Sequence, residues 1–170
     1  MIVGKGKSGK TVLWRWLAHE LKKIGFIIFG IDPHNKGGEE FDFLLRATKH
    51  GEQRRKKITN EEVIKFIECI PENHSKGIFL FVDEISKWLR PNSGVNELRD
   101  VIESGRNDNI GIVATARKSH YVRTELRESY DLLFSFQIRD PDERQYMSKW
   151  LNYDCEPLKK LKKRKFWSFD

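Results

Sequence analysis

The stretch Gly4-Lys5-Gly6-Lys7-Ser8-Gly9-Lys10-Thr11 carries the plainest chemistry in this chain. It fits G-x-x-x-x-G-K-[ST], a spacing that turns backbone N–H groups inward around a polyphosphate. The glycines permit the tight path. Lys10 reaches β- and γ-phosphates, and the Thr11 hydroxyl is a ligand for Mg²⁺. Val12 follows in a helix that opens at about Lys10, whose positive N-terminal end adds to an anion site. Gly4 to Val12 are therefore the expected nucleotide-binding residues.

A second cluster supplies the acid such a loop needs. Ile78-Phe79-Leu80-Phe81-Val82-Asp83-Glu84 is a buried strand ending in two carboxylates. Ligands gather at the carboxyl ends of parallel strands. This predicts Asp83 beside Thr11, holding Mg²⁺ or its water shell. Glu84 would polarise a water for in-line attack on the γ-phosphate. An acidic helix start would read the same without the loop. An adjacent Glu indicates hydrolysis of bound ATP rather than phosphoryl transfer to a small substrate. Lys5 is shared with the MinD/ParA-type loop, but that pattern wants a second glycine where Lys7 stands.

Ile110 to Ala114 reads as the next strand and delivers Thr115, placed to sense the γ-phosphate or orient the water. Arg106 and Arg117 flank that strand. Either could be an arginine finger, a fixed charge for the transition state that is often supplied in trans.

The elements that position these residues alternate between strand-like apolar runs and helical patterns. That order predicts an α/β fold with a mostly parallel sheet flanked by helices on both faces. Leu13, Trp16, Leu17, Leu21 and Ile24 recur at helical spacing after the loop. Phe26 to Ile31 reads as a strand closed by Asp32-Pro33, and Glu39 to His50 as a helix carrying Phe41, Leu44 and Leu45. Thr59 with Glu62 forms a capping box for a helix stopped by Pro71. Gly94 to Ser104 and Val122 to Tyr130 read as helices, and Leu132 to Ile138 as a strand. Pro141 opens a helix to about Leu151, and Phe166 to Phe169 is a final edge strand. The strand before the loop has only Met1 to Val3, short of the usual five or six residues. No linker or repeat divides the chain, so 1–170 reads as one domain with a basic segment at 158–170.

The chain has 170 residues, and none of its apolar stretches approaches the ~18 residues of a membrane span. Cys69 and Cys155 have no metal-ligand spacing and read as reduced thiols of a cytoplasmic protein. The net charge is +7 and the pI about 9.4, which points to a polyanionic partner besides the nucleotide. Arg54 to Lys57 and Lys159 to Lys165 concentrate that charge, as a solvated face or as contacts to DNA phosphates. Trp14, Trp16 and Trp88 read as core or subunit-contact residues rather than base-stacking platforms.

Taken in order, these features resemble the FtsK–HerA branch of the additional-strand P-loop ATPases. That branch includes DNA translocases, viral genome-packaging ATPases and Zot-like phage proteins. The resemblance rests on Gly4 to Thr11, Asp32-Pro33, Val82-Asp83-Glu84, Gly105-Arg106 and Ile112-Val113-Ala114-Thr115-Ala116-Arg117. Asp131 to Phe136 with Arg139-Asp140-Pro141 completes it. It implies a RecA-like core, a hexameric ring with ATP and Mg²⁺ bound between subunits, double-stranded DNA as the moved partner, and Arg106 as the trans finger. Many members carry Gln where this chain has Thr115-Ala116-Arg117, which leaves Thr115 and Arg117 as the contacts to the nucleotide. Hydrolysis could instead drive a switch or assembly factor that acts on a protein partner and moves no DNA.

Overall fold

An apolar run such as Ile78–Val82 must be covered on both faces, and alternate residues along it must meet different helices. The computed structural model describes residues 1–47, 57–71, 75–89, 95–105, 107–122 and 129–170. Its strands are β1 (Ile2–Val3), β2 (Ile27–Asp32), β3 (Phe43–Arg46), β4 (Ile78–Val82), β5 (Ile110–Ala116), β6 (Leu133–Phe136) and β7 (Phe166–Phe169). Its helices are α1 (Lys10–Lys23), α2 (Asn60–Glu68), α3 (Asn96–Ser104) and α4 (Pro141–Leu151).

The strands form one sheet in the order β3-β2-β4-β5-β1-β6-β7. All neighbours are parallel except β7, which runs antiparallel to β6. Strand β5 lies between the strand that feeds the glycine loop and the strand that ends in Asp83. Side chains alternate as the pleat requires. Ile2, Ile28 and Phe81 pack with Leu13, Trp14 and Ala18 of α1. Val3, Phe29, Leu80 and Val82 pack on the opposite face with residues of α2, α3 and α4, including Val63, Leu98 and Met147. The sheet is thus flanked by helices on both faces, as expected.

Local signals set several boundaries. Thr59 and Glu62 form the reciprocal cap of α2: Glu62 N–H donates to Thr59 Oγ1 at 3.2 Å and Thr59 N–H to Glu62 Oε2 at 2.8 Å. Pro141 opens α4 behind Asp140, whose carboxylate accepts from Asp142 N–H at 3.1 Å. Cys69 is exposed and Cys155 buried, both as free thiols.

Three expectations are corrected. Where 39–50 reads as a helix, residues 43–46 are strand β3, paired in parallel with Phe29–Asp32. Gly30 explains the outcome: a Cβ there would lie 2.6 Å from Phe41 and 2.8 Å from Leu44. Its absence lets both side chains pack onto β2, so sheet pairing overrides local periodicity. Trp16 of α1 and Ile24, just after it, face outward at 55% and 71% exposure, while Trp14 and Ala18 take the buried face. Strand β6 is four residues long rather than the seven read from the sequence. Arg54 to Lys56 and most of the helix expected over 122–130 lie outside the described residues, as do 48–50.

Candidate active site

The glycine loop leaves β1 and turns into α1 through Gly9, whose φ of 120° suits glycine and whose Cβ would meet the Phe136 ring at 2.9 Å. The first turn of α1 carries no acidic side chain, so its N-terminal dipole is open to an anion. Lys10 Nζ donates to the carbonyl oxygens of Gly4 and, at 3.0 Å, Lys5. Burial pulls the Lys10 ammonium down to about 8 from its ordinary value, against the opposing field of Asp83. Ser8 Oγ is buried within the loop with no hydrogen-bond partner among the described residues.

The acidic side of the site is built across β4 and β5. Thr115, fully buried, donates its hydroxyl to Asp83 Oδ1 at 2.6 Å and accepts Glu84 N–H at 3.0 Å. Glu84 takes a left-handed backbone (φ 54°, ψ 55°), a conformation rare for a non-glycine residue. Its Oε1 lies 2.6 Å from both Nε and Nη2 of Arg117, and its Oε2 lies 2.8 Å from His34 Nε2. Burial alone would raise the Glu84 carboxyl, but the hydrogen bonds and charges of His34 and Arg117 outweigh it and hold it below its ordinary value.

His34 and Lys36 were not visible as site residues in the sequence. The buried Asp32 carboxylate brings them in. It accepts N–H bonds from His34 at 2.9 Å, from Lys36, and from Gly37 at 2.6 Å. This folds the loop after β2 over the cleft, with Lys36 Nζ 3.5 Å from Asp83 Oδ2. An aspartate that bonds backbone N–H groups just ahead of it is a turn signal, and Asp32-Pro33 offered it.

Gly6 to Val12, Lys36, Asp83, Glu84 and Arg117 line one cleft. Of the expected residues, Gly4 and Lys5 hold the Lys10 ammonium through their carbonyls, and Thr115 supports the two acids from behind. Arg106 lies outside the described residues. Thr11 and Asp83 offer a hydroxyl and a carboxylate to the same cleft, a donor set suited to Mg²⁺ arriving with phosphate oxygens. Lys163 and Arg164 also line the cleft, from the far end of the chain.

No protein-family model and no curated protein sequence matches the chain. Solved structures do. The genome packaging NTPase B204 from Sulfolobus turreted icosahedral virus 2, in complex with ATPγS, superposes with a TM-score of 0.79 at 20% identity. That match covers 99% of this chain and 89% of the other. B204 from Sulfolobus turreted icosahedral virus, described as a DNA-packaging ATPase, gives 0.71 at 18% identity, with coverage of 99% and 90%. ATPases 2 and 3 of EssC from Geobacillus thermodenitrificans give 0.58 at 15% identity, over 86% of this chain and 33% of that one. This chain has the RecA-like P-loop fold of the FtsK–HerA-like ATPases that its sequence resembles.

Proposed function

We propose that this chain is an Mg²⁺-dependent ATPase of the FtsK–HerA type that works as a DNA-translocating or DNA-packaging ring motor. The observation that carries the reading is the convergence of Lys10 and Thr11, at the start of α1, with Asp83 and Glu84, just after β4, in one cleft. The similarity to B204, itself crystallised with ATPγS, AMP and AMPPCP, supports it.

In this reading the loop N–H groups and Lys10 hold the β- and γ-phosphates, with Lys10 exchanging its carbonyl partners for phosphate oxygens. Thr11 and Asp83 would hold Mg²⁺, which when bound neutralises charge on the phosphates. Glu84 accepts a proton from the attacking water as oxygen adds to the γ-phosphorus and the bond to the β–γ bridging oxygen breaks. A γ-phosphate competes with Glu84 for Arg117, which frees the carboxylate to act as base. Arg106 of a neighbouring subunit supplies the trans charge. The basic surface, part of the +7 net charge, contacts DNA phosphates. Among the described residues no helix is long and apolar enough to cross a membrane.

The test pairs turnover with binding and mass. Glu84→Gln should bind ATPγS as the wild type does while kcat falls by about 10²-fold or more. Normal turnover in that variant removes Glu84 as the base. Double-stranded DNA should stimulate hydrolysis by an assembly of six-subunit mass. A stable monomer whose turnover ignores DNA refutes the motor and leaves the ATPase.

A further inference from the structure

The cluster Lys159, Lys160, Lys162, Lys163, Arg164 and Lys165 reads in the sequence as one basic face. The fold divides it. Lys159 pairs with Glu156 at 2.9 Å on the outer surface. Lys162 to Lys165 form a tight turn closed by a 3.0 Å bond from Lys165 N–H to the Lys162 carbonyl, with Arg164 in the left-handed region at φ 66°. That turn is docked on the glycine loop: Arg164 N–H donates to the Ser8 carbonyl at 3.2 Å. A Cβ at Gly9 would lie 3.5 Å from Arg164 Cα.

The docking is enforced by the sheet. Strand β7 pairs with β6 from Phe166 opposite Phe136 to Phe169 opposite Leu133. Phe166 packs on Phe136 with ring centroids 5.5 Å apart, and Phe136 packs against Gly4 and Gly9. The turn therefore enters β7 directly above the phosphate loop. The Lys163 and Arg164 side chains are exposed, and both line the same cleft as Lys10 and Thr11. Together with Lys7, Lys36 and Arg117 they give the cleft far more positive charge than Asp83 and Glu84 balance.

We propose that the Lys162–Lys165 turn is a cis clamp for the nucleotide, in which Lys163 and Arg164 bind phosphate oxygens. The inference rests on the nucleotide reading of this cleft and extends it. It assigns the inner half of the basic segment to the triphosphate rather than to DNA. The contact is worth most for the most highly charged nucleotide, so affinity falls more for ATPγS than for AMP.

The experiment compares the wild type, Lys163→Gln/Arg164→Asn and Lys159→Gln/Lys160→Gln by calorimetric titration with Mg-ATPγS and AMP, and by duplex DNA binding. Asparagine tolerates the left-handed backbone, so the turn survives while the charge goes. The clamp variant should lose at least tenfold in ATPγS affinity, lose less for AMP, and keep its unliganded melting temperature and its DNA affinity. Arg164→Lys should recover most of the loss. The outer variant should bind ATPγS normally. Unchanged ATPγS affinity in the clamp variant, or equal losses for AMP and ATPγS, overturns the clamp and leaves the nucleotide site standing. Loss of duplex binding alone returns these residues to DNA. A wild type that binds neither nucleotide overturns both readings.

Discussion

Replacing Thr115 with valine tests the join between β4 and β5 with almost no change in volume. The substitution deletes a hydroxyl that donates to Asp83 Oδ1 at 2.6 Å and accepts Glu84 N–H at 3.0 Å. Asp83 is only 5% exposed, so water cannot readily replace the donor. A hydrogen bond to a charged group contributes about 1.5–3 kcal/mol, and the second bond, to a backbone N–H, about 1 kcal/mol. The expected loss is therefore roughly 2–4 kcal/mol, a large part of the ~5–15 kcal/mol that stabilises a domain. In urea the midpoint should fall without a change in m-value, and the melting temperature should drop by about 5–15 °C. Catalysis should suffer as well, because the left-handed Glu84 loses its backbone anchor and the carboxylate moves relative to the phosphates. A displacement of about 1 Å corresponds to roughly 10²-fold in kcat. Thr115→Ser, which keeps the hydroxyl, should restore most of both. A valine variant within about 0.5 kcal/mol of wild type and with normal kcat would refute the assigned role of Thr115.

Three further outcomes are expected. Because Lys10 titrates near 8 in the empty cleft and phosphate oxygens favour its charged form, Mg-ATPγS binding at pH 8 should take up protons, and Lys10→Met should abolish binding and uptake together. Titrations in buffers of different ionisation enthalpy measure that uptake; binding without it would show that Lys10 does not meet the phosphates. Arg117→Ala removes one of the two partners that hold Glu84 below its ordinary pKa in the free protein, so the acidic limb of the kcat/KM profile should move to higher pH. The linkage has the same sign: a depressed carboxyl stabilises the fold above its unfolded pKa and loses that contribution as pH falls through the folded value, so Arg117→Ala should lose less stability on acidification. Gly9→Ala forces a Cβ to 2.9 Å from Phe136 at a φ of 120°, so nucleotide affinity should fall about 10–100-fold, and an unchanged dissociation constant would exclude the observed loop path.

The site's two poles were legible because each is a local pattern. The glycine spacing from Gly4 to Thr11, and an apolar strand ending in Asp83-Glu84, need no distant partner to be read. The capping box at Thr59 is equally local. What escaped was set by contacts far apart in sequence. Strand β3 depends on the empty space above Gly30, which nothing in residues 39–47 announces. His34 and Lys36 reach the cleft only because the buried Asp32 carboxylate gathers backbone N–H groups ahead of it. Lys163 and Arg164 read as surface charge because their place over the loop comes from β7 pairing with β6. Trp14 and Trp16 both read as core or subunit-contact residues, since i, i+3, i+4 spacing fits more than one helix face until the sheet selects one and buries Trp14.

The placement of β1 bears on the order in which the chain can fold during synthesis. Strands β2, β3, β4 and β5 pair among themselves and contain no residue of the glycine loop. Ile2 and Val3, by contrast, pair with Thr115 and Ala116 of β5 and with Phe134 and Ser135 of β6. Strand β1 thus waits for partners far later in the chain, a loop closure whose entropy is met late. A nascent chain can raise the acid-bearing half of its sheet well before its glycine loop is held in place. The glycine loop is the latecomer of the fold, and under the function proposed above a triphosphate can begin to act as a folding ligand only after β6 has emerged.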